Sequence, residues 1–256
     1  MTRANRVYVP GQIWHVTHRC HQRDFLLGHR EDRRRWLYWL YEARRRYALC
    51  VLNYIVTRNH IHLLVRDRGD GEIAASMQLV AGRTAQAFNE RKGRVGAFWQ
   101  DRYHATAVES DDHLVRCMTY IDLNMVRAGA AVHPDRWPES GYREIQRGKR
   151  RYRVIDIPAL CRLTSSPSPE ALRDRLRRWT EHALAVGRTS REAAWTESLA
   201  VGPEEFLRQV HHNLGARGYR REVAQADGLT YLREPSVAYV LDTPPYVTQN
   251  SLNCVM

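Results

Sequence analysis

His60 and His62 stand one residue apart in NHIHLLV, residues 59–65. Strand side chains alternate between faces, so on a strand both imidazoles project to one side, with Ile61 opposite. Two neutral imidazoles placed like this can share one metal ion. They can equally be ordinary strand residues. With 12 histidines in 256 residues, chance alone gives roughly half a His-x-His match. The second feature is YIDLNMVRAG, residues 120–129. On a helix, Tyr120 and Asn124 are four apart and share a face. A tyrosine can act as a nucleophile and form a covalent intermediate. Its ordinary pKa of about 10 keeps it protonated at neutral pH, so it needs a metal, a cation or a base beside it. An Asn carbonyl oxygen is a hard ligand that can sit beside two imidazoles. Alone, this pair reads as a half-buried aromatic and a polar residue near a helix end.

The elements that would position these groups follow from periodicity. Residues 12–17 (QIWHVT) read as a first strand, being aromatic and β-branched after Pro10-Gly11. Residues 31–48 read as a helix, with Trp36, Leu37, Leu40 and Tyr41 on one face and arginines flanking it. Residues 49–57 and 60–66 form two strands of a hairpin turned at Arg58-Asn59. A second helix spans 72–91, and a fourth strand 103–108. Ser110 suits the N-cap of a third helix that runs to about Arg127 and stops at Ala128-Gly129. The order strand, helix, strand, strand, helix, strand, helix predicts an α+β, ferredoxin-like split βαβ core: an antiparallel sheet with helices on one face and the other partly free. This core domain is expected over 1–145 and a connecting segment over 146–169. A mainly helical extension is expected over 170–243 and a tail over 244–256. Ser168 caps the extension's first helix, with Pro169 at its first position.

Composition narrows the partner. Net charge is +12, which points to a polyanion, above all nucleic acid. Nearly all of it is Arg; Lys92 and Lys149 are the only lysines. The five cysteines are scattered and form no CxxC pair, as expected of reduced thiols in a cytosol. His18-Arg19-Cys20-His21 lacks a second cluster with zinc spacing. No apolar run approaches a membrane span, and residues 1–14 lack a signal-peptide core. The expectation is a cytoplasmic, nucleoid-associated protein with no membrane partner, monomer or homodimer.

Taken together, NHIHLLV and YIDLN resemble the single-tyrosine HUH nucleases. More closely, the chain resembles the REP-associated tyrosine transposases of the IS200-like transposase family. The resemblance covers most of residues 6–145: VPGQIWHVTHRCHQRDFLL, YIVTRNHIHLLV, AFWQDRYHATAVES, YIDLNMVRAG and RWPESGYRE. It implies a metal-dependent single-strand DNA endonuclease and strand transferase. Tyr120 would attack a DNA phosphate and hold a 5′-phosphotyrosine. His60, His62 and Asn124 would bind one Mg²⁺ or Mn²⁺. The implied partner is a single-stranded DNA hairpin of the REP, or palindromic, type. Arg19, Arg58, Arg102 and Arg127 are candidates for its phosphates, and Trp99 and Tyr103 for stacking on its bases. One departure stands out: the family pattern has Pro after the Asn, where this chain has Met125. The alternative is a domesticated, non-catalytic hairpin-binding or regulatory protein.

Overall fold

Four strands build the centre: β1 (Ile13–Arg19), β2 (Cys50–Val56), β3 (His60–Arg66) and β4 (His104–Val108). The computed structural model describes residues 11–148, 151–187, 190–214 and 221–234, so the tail expected over 244–256 lies outside the described residues. The strands lie in the order β2-β3-β1-β4, every pair antiparallel. With helices α1 (Arg30–Tyr47) and α2 (Glu72–Lys92) as the crossovers, this is the expected ferredoxin-like core. The hairpin turns at Arg58-Asn59, closed by the Thr57 N–H donating to His60 O at 3.0 Å. α1 ends where Ala48 turns left-handed, at φ 53°.

Register decides what each face carries. Thr17 pairs with His62 and Arg19 with His60, and Thr17 also pairs with His104. Directly opposed residues share a face. His15, Thr17, Arg19, His60, His62, His104 and Thr106 therefore line one side. The opposite side faces α2: His18 stacks on Trp99 at 4.1 Å, whose indole N–H donates to Ala81 O at 3.0 Å. α1 and α2 pack on each other.

The histidine face receives α3 (Asp112–Asp122) and the single turn α4 (Asn124–Arg127). Ser110 is not the cap expected from its residue type. The cap position falls on Asp111, at φ 60°, with no side-chain cap bond, and the Ser110 hydroxyl donates to Glu109 instead. The helix is also interrupted at Leu123 (ψ 0°), one residue before Asn124. α3 is pinned to β2 by the Asn53 amide, which donates to Asp122 Oδ1 at 3.0 Å. Gly141 opens α5 (Gly141–Arg147) against the same amide. A Cβ there would lie 2.1 Å from Asn53 Oδ1 and 2.9 Å from Tyr54 N, so only glycine fits that approach.

Burial pushes the Asp122 carboxyl up to about 7, opposed by the Asn53 hydrogen bond. The folded chain thus keeps a proton that the unfolded chain has released above about 3.8. The stability this neutral group contributes is whole below pH 4 and is lost as pH rises through 7. Asp122→Asn keeps the acceptor for Asn53 without the charge. It should gain up to a few kcal/mol over the parent at pH 8 and little at pH 4.5. Urea unfolding at the two pH values checks this; equal differences at both would mean that Asp122 is not the titrating group.

The segment expected to be a connection carries a helix of its own, α6 (Ile157–Leu163), and the extension beyond it has α7 (Pro169–Ala185), α8 (Ala194–Glu197) and α9 (Glu204–Leu214). Ser168 caps α7 as expected, accepting from Ala171 N. The extension also supplies strands, which periodicity did not indicate. β5 (Ala200–Val201), β6 (Glu222–Ala226) and β7 (Leu229–Arg233) continue the sheet in the order β4-β5-β7-β6, with β5 parallel to β4. Among the described residues no helix is long and apolar enough to cross a membrane.

Candidate active site

His60 and His62 project from β3 to one side, their ring centroids 5.0 Å apart. The β2–β3 turn orients His60. The Asn59 amide nitrogen donates to Arg23 O at 3.0 Å, so Asn59 Oδ1 faces His60 Nδ1, 2.8 Å away, and accepts from it. That tautomer leaves Nε2 as the acceptor, the atom a metal needs. His62 is buried. Its Nδ1 lies 2.9 Å from His15 Nε2, and its Nε2 lies 2.9 Å from the Asn124 amide nitrogen. Burial lowers the His60 pKa to about 4, helped by Arg19, Arg127 and Arg191. Burial first, then His60 and His15, hold His62 well below the usual range. Both are therefore neutral at physiological pH, as metal ligation requires.

Tyr120 and Asn124 do reach His62 of the pair. The Tyr120 ring is 6.0 Å from that of His62 and 6.3 Å from that of His15. It is enclosed, at 7% exposure: Trp195 lies at 6.3 Å and the Arg127 guanidinium sits over its face at 4.1 Å. Arg127 also donates to Tyr120 O at 2.6 Å. Burial raises the phenol's pKa; Arg127 and Arg191 oppose that rise by favouring the phenolate.

A cleft of about 240 Å³ opens at the histidines, lined by Thr17, Arg19, His60, His62, Arg102 and Arg191 among others. Tyr120 lines a separate hollow of about 40 Å³ with Arg127, Trp179 and His182, which shares no lining residue with the cleft. The expected DNA-contact residues thus separate. Arg19 and Arg102 lie on the cleft. Arg58 is exposed in the hairpin turn and is not part of the cleft lining. Arg127 sits on the tyrosine. Trp99 is half-buried against His18, and Tyr103 meets His18 edge-on at 6.2 Å. Arg33, read as part of a flank beside the apolar face of α1, is instead buried. It donates to Glu139 at 3.1 Å and to Leu27 and Gly28 carbonyls, because buried Glu139 needs a cation.

Sequence reasoning missed His15, Arg191 and Trp195. Strand alternation through His15, Thr17 and Arg19 could have flagged the first. The other two come from the extension and have no local signal. Among the described residues no three His, Cys, Asp or Glu side chains cluster as metal ligands. The set here is two imidazoles and an amide. Asn124 presents its amide nitrogen to His62 Nε2, not the oxygen expected of a ligand; with the amide turned over, the set fits a divalent cation that takes its remaining ligands from water and substrate.

Comparison with known proteins gives the chain a context. Residues 8–124 match the family model "Transposase IS200 like". No curated protein matches the chain. Among solved structures it is similar to a REP-associated tyrosine transposase bound to a REP hairpin. The identity is 21%, over 61% of this chain and 94% of that one, with a TM-score of 0.48. It is also similar to a candidate transposase from Deinococcus radiodurans R1, at 16% identity over 50% of this chain and 92% of that one, with a TM-score of 0.34. The stretch that matches the family model, residues 8–124, holds His15, both β3 histidines, Tyr120 and Asn124.

Proposed function

We propose that this chain is a metal-dependent single-strand DNA endonuclease and strand transferase that acts on REP-type hairpins through a 5′-phosphotyrosine at Tyr120. One observation carries the reading: Tyr120 of α3 and Asn124 of α4 both meet His62, the inner histidine of the neutral pair on the central hairpin. His60, His62 and Asn124 would hold Mg²⁺ or Mn²⁺. Bound there, the ion would polarise the scissile phosphate and neutralise charge developing on it, an effect worth several kcal/mol in such sites. The Tyr120 phenol loses its proton and its oxygen attacks phosphorus. The bond from phosphorus to the 3′-oxygen breaks, and that oxygen leaves as a protonated hydroxyl. Rejoining reverses these steps, so no ATP is needed. Arg19 and Arg102 would meet DNA phosphates along the cleft, and the net charge of +12 favours such a partner.

The test is direct. The chain is incubated with a labelled single-stranded hairpin and Mn²⁺ or Mg²⁺, and a denaturing gel reads covalent protein–DNA product. An adduct mapping by mass spectrometry to the Tyr120 peptide supports the reading. Hairpin binding without an adduct favours the second reading, a non-catalytic hairpin binder, which the enclosure of Tyr120 at 7% exposure recommends.

Arg127 bears on the nucleophile. A cation within 4–6 Å lowers a phenol's pKa by a unit or more, and Arg127 sits 4.1 Å from the ring. Arg127→Gln keeps a donor for Tyr120 O. It should slow cleavage about tenfold at pH 7 and move the rising limb of the pH–rate profile to higher pH. An unmoved profile would assign Arg127 to packing alone.

A further inference from the structure

We infer that His15 is a positioning residue for the metal-site histidine His62, and that the carbonyl of Trp195, in the C-terminal extension, sets the tautomers of both rings. The inference rests on the metal-site reading above and extends it to residues outside the ligand set.

The argument is a chain of donors and acceptors. A carbonyl oxygen only accepts. Trp195 O lies 2.8 Å from His15 Nδ1, so Nδ1 carries the proton. His15 is fully buried and neutral, which makes its Nε2 an acceptor. His62 Nδ1, 2.9 Å away, must then donate. The remaining lone pair of His62 is on Nε2, on the side of Asn124. That is the lone pair a cation would take.

Metal-binding histidines almost always give their second N–H to a carboxylate, carbonyl or water, which fixes the ring and raises its basicity. Here an imidazole fills that place and passes the requirement to a carbonyl 180 residues away in sequence. The segment that carries this carbonyl is itself held. The Thr106 hydroxyl braces it, donating to Ser198 O at 2.8 Å. The Trp195 indole donates to Glu192 at 2.5 Å, and Glu192 pairs with Arg116 of α3 at 3.0 Å. The helix that carries Tyr120 thus also anchors the segment that orients His62. An element outside residues 8–124 tunes a ligand within them.

The experiment compares the full chain with His15→Phe, which keeps the ring volume without an acceptor, and with His15→Gln, which restores both an acceptor and a donor. Long-range ¹H–¹⁵N spectra of the ¹⁵N-histidine-labelled, metal-free parent should show His15 and His62 both protonated on Nδ1. Titration with Mn²⁺, followed by electron paramagnetic resonance, should show about 10- to 100-fold weaker binding in His15→Phe, with most of the loss recovered in His15→Gln. A parent in which His62 carries its proton on Nε2 overturns the inference, as does unchanged Mn²⁺ affinity in a folded His15→Phe. If His15→Phe does not fold, the parent spectrum and His15→Gln decide. A parent that binds no Mn²⁺ sinks the metal-site reading instead, and the tautomer spectrum still decides the relay.

Discussion

Tyr120→Phe is expected to leave no covalent protein–DNA adduct and to slow hairpin cleavage by roughly 10³-fold or more. The substitution removes one oxygen and little else. The ring keeps its neighbours: Trp195 at 6.3 Å, the Arg127 guanidinium at 4.1 Å and the edge contact with His62 at 6.0 Å. Stability should therefore stay within about 1 kcal/mol of the parent, and hairpin binding should be nearly unchanged. This separation gives the experiment its force. A lost adduct in a protein that still folds and still binds isolates the phenol oxygen as the nucleophile. Cleavage at the parent rate, without an adduct, would instead assign the attack to water and make Tyr120 a packing residue. A denaturing gel, a melting curve and a hairpin-binding titration suffice.

The central hairpin and the split βαβ order are legible in the sequence because their signals are local and strong. β3 falls on His60–Arg66, as alternation and the Arg58-Asn59 turn require. The sheet extension is not legible. β5 has two residues and pairs with β4 across about 90 positions. β6 reads EVAQA and lies mostly exposed, with neither an apolar face nor β-branched density to mark it. The site divides the same way. The helical spacing of Tyr120 and Asn124, with the strand spacing of His60 and His62, puts each pair on one face. Only tertiary packing brings the two pairs together. The expected role of Trp99 as a base stacker came from its residue type alone. Its indole N–H is bonded to α2 and its ring lies on His18, contacts that no spacing rule reveals. Met125, in place of the proline expected from the resemblance, is buried at 3% exposure. The chain still breaks its helix two residues earlier, at Leu123, so Asn124 reaches His62 without that proline.

His60→Ala and His62→Ala should abolish cleavage to a similar degree, roughly 10²- to 10³-fold each, yet differ clearly in stability. His62 is 3% exposed, and both its nitrogens are engaged, by His15 and Asn124. Truncating it leaves a cavity, a buried imidazole nitrogen without its donor and a buried amide without its acceptor. The combined cost is on the order of 2–4 kcal/mol. His60 is half-buried at the cleft and its ring bonds to the turn residues Thr57 and Asn59; Asn59 is partly exposed, and buried Thr57 keeps its bonds to the His60 backbone. Its truncation should cost about 1 kcal/mol or less. The two variants should also respond differently to metal. With His60 removed, His62 and Asn124 still face each other, so raised Mn²⁺ should restore part of the cleavage. With His62 removed, the His15 relay has nothing to orient and Asn124 has lost its partner, so raised Mn²⁺ should restore little. Urea unfolding and cleavage assays across a Mn²⁺ series test both halves. Full activity in His60→Ala would remove it from the ligand set. Equal destabilisation by the two variants would mean that the buried histidine chain does not carry the load its distances assign to it.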